Sequence, residues 1–156
     1  MKILLKLIFL SFMLYGCSKA NSQSEELLTP EKMNERFFSL YESKSPKDAL
    51  DFIFSTNAWI EETQAQVVAN KLTGYTKLLG SYQDRDAITK NSIGQNYLLY
   101  TFLVKHDRQP MRFTFIYYKP KDKWQLQEFK YDDNFQSEII EASSAYRLTE
   151  NLPCDQ

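Results

Sequence analysis

Histidine is the side chain that titrates nearest neutral pH, and this chain has one, His106, in the stretch His106-Asp107-Arg108. Such a trio suits acid–base chemistry. Its setting argues otherwise. The polar run His106-Asp107-Arg108-Gln109 reads as a turn between two apolar strands. His106 is therefore expected at a solvated hairpin tip, as a surface residue. A single histidine also excludes a multi-histidine metal site. Asp132-Asp133 with Glu138 offers oxygen ligands for a hard cation. The spacing fits no calcium loop and lacks the turn glycine. The same carboxylates suit a helix start, where free N–H groups and the dipole attract negative charge. Capping is the expected role, and no metal, cofactor or catalytic residue is assigned. There is no phosphate loop, nucleophile elbow, Cys–His pair or dinucleotide fingerprint.

The aromatic side chains are the remaining candidates. Trp59, Tyr75, Tyr97, Tyr100, Phe102, Phe113, Phe115, Tyr117 and Trp124 exceed what a small core needs. Tyrosine joins an apolar body to a polar tip that seeks a partner. Facing an interior space, these residues would line a pocket for a flat or greasy ligand, or a peptide. Packed together, they would simply fill the core and form cross-strand pairs. Both arrangements fit the sequence.

Composition narrows the class. The 156 residues carry 19 basic and 20 acidic side chains, so no basic face is expected and nucleic acid is not a partner. An aromatic content of 15% argues against disorder. With two cysteines, Cys17 and Cys154, the chain is not a disulfide-stapled scaffold. Its length suits one domain.

The first residues read as an address. Lys2 and Lys6 precede the uncharged run Leu7 to Tyr15. At about 1.5 Å per residue, a helix of that length falls short of a bilayer core of roughly 30 Å. This is the pattern of an export signal rather than a spanning helix. Leu14-Tyr15-Gly16-Cys17 resembles the lipobox of bacterial lipoproteins. That resemblance implies cleavage between Gly16 and Cys17, with the lipid on Cys17. Residues 1–16 are then the signal peptide. Residues 17–28, polar and small after Cys17, form a flexible tether. Losing Lys2 and Lys6 makes the mature chain more acidic, and lipidation leaves Cys154 unpaired in a tail at 149–156. Ser18, directly after the lipidated Cys, resembles the signal for outer-membrane sorting in cells with two membranes.

The body, residues 29–148, reads as helices, then strands, then a helix. Thr29-Pro30 and Ser45-Pro46 are helix starts, the second with Asp48 in a capping-box position. Met33, Phe37, Leu40 and Tyr41 give the first helix one apolar face. Ala49, Leu50, Phe52, Ile53 and Phe54 make the second apolar on most sides. Ala58-Trp59-Ile60 is expected as an apolar plug. Ala65, Val68, Ala69, Leu72, Tyr75, Thr76 and Leu79 mark a third helix from Glu62 to Leu79, with Gly80 as its stop. Gly74, inside it, marks either a close approach or simple tolerance.

After Gly80 the period changes to two. Ser81 to Thr89 suggests a polar edge strand, with Tyr82, Asp84, Asp86 and Ile88 alternating. Gln95 to Lys105 is apolar on both faces and is expected to be central and covered twice. Met111 to Lys119 is the next strand. Trp124 and Leu126 share a face, while Phe129 and Tyr131 occupy the opposite one. That switch of phase predicts a β-bulge near Gln127-Glu128. Asn134 begins a last helix with the stripe Phe135, Ile139, Ala142 and Tyr146.

Three helices followed by an antiparallel meander is an α+β order. Helices packed on a curved, bulged antiparallel sheet make a cone. The helix block Pro30 to Leu79, the strands Gln95 to Lys105 and Met111 to Lys119, and Lys123-Trp124-Gln125-Leu126 resemble the nuclear transport factor 2-like superfamily, particularly its small exported and lipid-anchored bacterial members. The C-terminal helix departs from that pattern. The resemblance implies a lipid-anchored cell-envelope protein. Where the cell has two membranes, it would sit on the periplasmic face of the outer one. The expected role is non-catalytic binding of a small apolar molecule or another envelope protein. In ketosteroid-isomerase-like relatives an Asp and a Tyr transfer protons, which Asp84 or Asp86 with Tyr97 or Tyr100 would have to imitate. A third alternative is a pocketless interaction or inhibitor protein.

Overall fold

Side-chain oxygens start the first two helices, as their residue types predict. The structure is a computed structural model and describes residues 28–145. The signal peptide, Gly16, Cys17, nearly all of the tether, Tyr146 and Cys154 lie outside the described residues. Helix α1 is Pro30–Ser43, and Thr29 Oγ1 accepts from the Lys32 N–H. Helix α2 is Pro46–Ser55. Ser45 Oγ accepts from the Asp48 N–H at 3.1 Å and donates to the Asp48 carboxylate. Helix α3 is Glu62–Leu79 and stops at Gly80. There φ is +89°, and a Cβ would lie 2.8 Å from the Asp107 side chain. Both dihedral and space therefore demand glycine. A Cβ on Gly74 would meet nothing within 4 Å, so that position is tolerated rather than required.

Four antiparallel strands follow in the order β1-β2-β3-β4: Tyr82–Ile93, Tyr97–His106, Met111–Tyr118 and Gln125–Asp132. Helix α4, Phe135–Ala145, closes the described chain. The fold is α+β. On β4 the register steps from Ile116↔Glu128 to Tyr117↔Leu126, which leaves Gln127 as an extra residue. This bulge lets both Leu126 and Phe129 reach the core, as the phase switch predicts. The C-terminal end of α2 holds the same place. Asn57 Nδ2 donates to the Leu126 carbonyl at 2.7 Å, and Thr56 Oγ1 accepts from the Leu126 N–H at 3.1 Å.

Strand β1 departs from simple alternation. Its register shifts at Gln83 and again at Ile88. Each extra residue turns a two-residue step into three. Tyr82, Arg85, Ala87 and Lys90 therefore pair with His106, Val104, Phe102 and Tyr100, all on one face. Asp84 and Asp86 fall on the other face, where both bind Lys105, at 3.5 and 2.7 Å. The expected grouping of Tyr82 with Asp84, Asp86 and Ile88 is thus replaced by a different set.

The helices cover one face of the sheet. Phe37 of α1 meets Phe115 at 5.0 Å between ring centroids and Phe129 at 5.8 Å. Phe38 meets Phe102 at 5.1 Å. Tyr100, Phe102, Val104 and His106 are buried, whereas Leu99, Thr101, Leu103 and Lys105 are only half-buried. Strand β2 is central but covered once, which an antiparallel sheet permits. Apolar residues on its second face fit the half-shielded environment beside neighbouring strands.

Three apolar expectations are corrected. Trp59 is 87% exposed and plugs nothing. Tyr75 lies on the exposed flank of α3, with its ring against Tyr131 at 5.9 Å. On α4, Ile139 and Ile140 are exposed. That helix is tied instead by Arg112, which donates to Asp132 (2.9 and 3.2 Å) and to Glu138 (2.7 and 2.9 Å). Of the carboxylates expected as helix caps, Asp132 does accept from the Asn134 N–H, at 3.0 Å, as well as from Arg112, whereas Glu138 serves as a partner of the same guanidinium. Both hydrogen-bonded pairs push the Arg112 pKa further up.

Candidate functional site in the cleft between the first helix and the edge strand

The two β1 bulges have a chemical result. They set Arg85 and Lys90 on the face that looks toward the first turns of α1. Between these elements lies a cleft of about 350 Å³. Its walls are Phe102, Tyr100, Ala87 and Ile88, and its polar groups are Glu31, Asn34, Glu35, Arg85, Thr89 and Lys90.

Glu31 is the hub of one cluster. Lys90 Nζ donates to its carboxylate at 2.7 Å, and the Tyr100 hydroxyl donates to the same oxygen at 2.5 Å. Burial raises the Glu31 pKa. The hydrogen bonds from Lys90 and Tyr100, with help from its own backbone and Thr29, outweigh burial and bring it down to about 2. Tyr100 moves the other way, raised by burial and by its bond to the carboxylate. The Lys90 ammonium also sits 5.3 Å from the Tyr100 ring centroid.

Asn34 lines the inner wall and is 4% exposed. The Tyr117 hydroxyl donates to its Oδ1 at 2.6 Å. Its Nδ2 is buried and has no hydrogen-bond partner. A buried amide N–H left unpaired costs roughly 1–3 kcal/mol. Arg85 lies over the face of Phe38, 4.3 Å from the ring centroid, and donates to the Tyr82 hydroxyl at 3.4 Å. It has no carboxylate partner among the described residues.

A second depression, about 320 Å³, lies at the other end of α1 and is lined by Tyr41, Thr76, Lys77, Tyr82 and His106, among others. His106 is 8% exposed, so the surface reading is overturned. It is the last residue of β2 and points to the covered face rather than into the turn. The Tyr41 hydroxyl and Nε2 lie 3.0 Å apart, and Nδ1 has no partner in hydrogen-bond geometry. Burial lowers its pKa, against smaller opposing effects of the Val104 backbone and Asp107. Asp107, the true turn residue, accepts from the Ser81 N–H at 2.7 Å and from Gln83 at 2.5 Å. It anchors the α3–β1 link.

The expected pocket-lining set is divided by the structure. Tyr100 and Phe102 line the α1–β1 cleft. Phe113, Phe115 and Tyr117 are wholly buried in the core. Tyr97 and Trp124 are half-buried, beside Tyr118 and Lys119 respectively. Tyr75 lines a smaller cleft of about 200 Å³ with Tyr131. Trp59 lies out in solvent. Asp84 and Asp86 reach neither Tyr97 nor Tyr100 in any hydrogen bond; Glu31 takes the place at Tyr100. Glu31, Asn34, Arg85 and Lys90 lie outside the site residues expected from sequence. The only available signal was a carboxylate and an amide three residues apart on α1. Among the described residues no group of three His, Cys, Asp or Glu is placed to hold a metal ion, and no helix is long and apolar enough to cross a membrane. No family model, curated protein or solved structure matches the chain.

Proposed function

We propose that this protein is a lipid-anchored protein of the bacterial cell envelope, held by a lipid on Cys17. We assign its domain to the nuclear transport factor 2-like class, acting as a binding module without catalysis. The anchor rests on Leu14-Tyr15-Gly16-Cys17 and the polar tether after it. The fold-class assignment rests on the order of helices and meander and on the bulge at Gln127. In cells with two membranes the domain would face the periplasm from the outer membrane.

The ligand is a small, largely apolar molecule in the α1–β1 cleft. The observation that carries this reading is the unpaired Nδ2 of Asn34, a buried donor on a residue that lines the cleft beside the apolar faces of Tyr100 and Phe102. An acceptor atom on a bound molecule would satisfy it. Proton-transfer chemistry is disfavoured here by the titration of the candidate groups. A carboxylate lowered to about 2 and a phenol raised above its ordinary value stand far from neutral pH, where an acid–base pair works best.

Native mass spectrometry of the mature chain, residues 17–156, tests the binding reading. A co-purified small molecule is expected, and it should be lost in Ala87→Trp, which fills the cleft from an exposed position on β1. Ligand retained by that variant would place binding elsewhere. The anchor has a separate test. Cys17→Ser should release the protein from membranes and stop lipid incorporation; normal processing and membrane retention would refute it.

A further inference from the structure

The cleft has one cation without an ion pair among the described residues. Lys90 is matched by Glu31. Arg85 is not matched by any acidic side chain among the described residues. Its neighbours in sequence, Asp84 and Asp86, point to the opposite face and bind Lys105. The guanidinium lies over the Phe38 ring, 4.3 Å from its centroid, and makes one hydrogen bond, at 3.4 Å, to Tyr82. Arginine carries five N–H donors in a planar fork suited to a carboxylate. The bond to Tyr82 uses one of those donors and leaves the others for further acceptors. Asn34 lines the same cleft, and its buried Nδ2 is a second donor without a partner, while Tyr117 holds its Oδ1.

We propose that the α1–β1 cleft binds a small apolar carboxylate, its head on Arg85 and Asn34 and its tail against Phe102 and Tyr100. This rests on the reading of the cleft as a binding site and specifies its ligand. Arg85 is a single cation without an ion pair among the described residues, set against the Glu35 carboxylate in the same cleft, which favours one negative charge over a phosphate dianion. Size sets the tail. At roughly 30 Å³ per water-sized group, about 350 Å³ holds about a dozen non-hydrogen atoms. That fits a medium-chain acid. Glu35 opposes the ligand: it lines the cleft, is exposed, and has no ion pair among the described residues.

Isothermal titration of residues 17–156, carrying Cys17→Ser, with decanoate and with 1-decanol separates the possibilities. Decanoate should bind at least about tenfold more tightly, the worth of a charge-assisted hydrogen bond. Arg85→Gln should bring decanoate to the level of decanol and leave decanol unchanged. Arg85→Lys keeps the charge without the fork and should fall between. Glu35→Gln should tighten decanoate alone, and Ala87→Trp should abolish both. Circular dichroism confirms that each variant is folded. Equal binding of acid and alcohol would overturn the carboxylate inference and leave the binding site standing. Decanoate binding that survives Arg85→Gln would also overturn it. Binding of neither compound overturns this ligand assignment, while a co-purified molecule of other chemistry would preserve the site.

Discussion

The two ends of α1 carry polar groups of similar chemistry in different settings. At the N-terminal end, Glu31 and Asn34 face a cleft with two cations and apolar walls. At the C-terminal end, Tyr41 meets His106 beneath the Gly80–Asp107 turn. Each end holds one buried nitrogen without a partner. At the first, the unpaired group is an amide that lines one cleft with a guanidinium lacking an ion pair among the described residues, the two donors assigned above to one ligand. At the second, the group is an imidazole held by a phenol, its pKa lowered by burial, and its clearest consequence is pH-dependent stability. An unsatisfied polar atom thus takes its meaning from the charges and space around it.

The largest expected effect is common to both ends. Phe38 is wholly buried and packs against both Arg85 and Tyr82. Phe38→Ala should cost about 3–5 kcal/mol in urea unfolding and weaken both ends together. An effect confined to one end would show that they are less coupled than the packing implies.

His106→Ala should cost about 2 kcal/mol, since it strands the buried Tyr41 hydroxyl. The wild-type pH profile sharpens the contrast. The folded-state pKa of His106 is lowered, so its contribution is present above the ordinary value of 6.5. That contribution is lost as pH falls through the folded value. The unfolded chain takes the proton first. His106→Ala should flatten unfolding profiles in that window; an unchanged slope would assign it to other groups.

Backbone comes next. Gly80→Ala should destabilise by about 1–3 kcal/mol, because φ is +89° and Asp107 fills the space. Gly74→Ala, exposed in the middle of α3 with open space around it, should stabilise by up to about 1 kcal/mol. Thermal melts of the two variants should therefore move in opposite directions.

The smallest effect belongs to Glu31. Its lowered pKa means stability present above 4.5 and lost as pH falls toward about 2. The side chain is 47% exposed, so solvent screening should hold Glu31→Gln to less than about 1 kcal/mol. Acid titration should place its loss well below the window of His106. Overlap of the two windows would contradict the separation of the two ends.

Much of the secondary structure is legible in the chain. Thr29-Pro30 and Ser45-Pro46 mark helix starts because a side-chain oxygen and a missing N–H act locally. The bulge at Gln127 is legible because Leu126 and Phe129 cannot otherwise share a face. The β1 bulges are not, since Asp84, Asp86 and Ile88 make a plausible alternation and only pairing with β2 reveals the extra residues. Of the site, Tyr100 and Phe102 were found as aromatic excess. Glu31, Asn34, Arg85 and Lys90 were missed as site residues because two elements far apart in the chain bring them together.

Residue order alone determined the lipobox-like start, the helix caps, the change of period after Gly80 and the α+β class. Each depends on neighbours within a few positions. Tertiary structure decided that His106 is buried, that Trp59 is exposed, and that Phe113 and Phe115 fill the core while Tyr100 and Phe102 border a cleft. Identical aromatic chemistry serves core and cleft alike. The choice between them depends on which helix lies over which strand, and on register steps of one residue that turn a side chain from one face to the other.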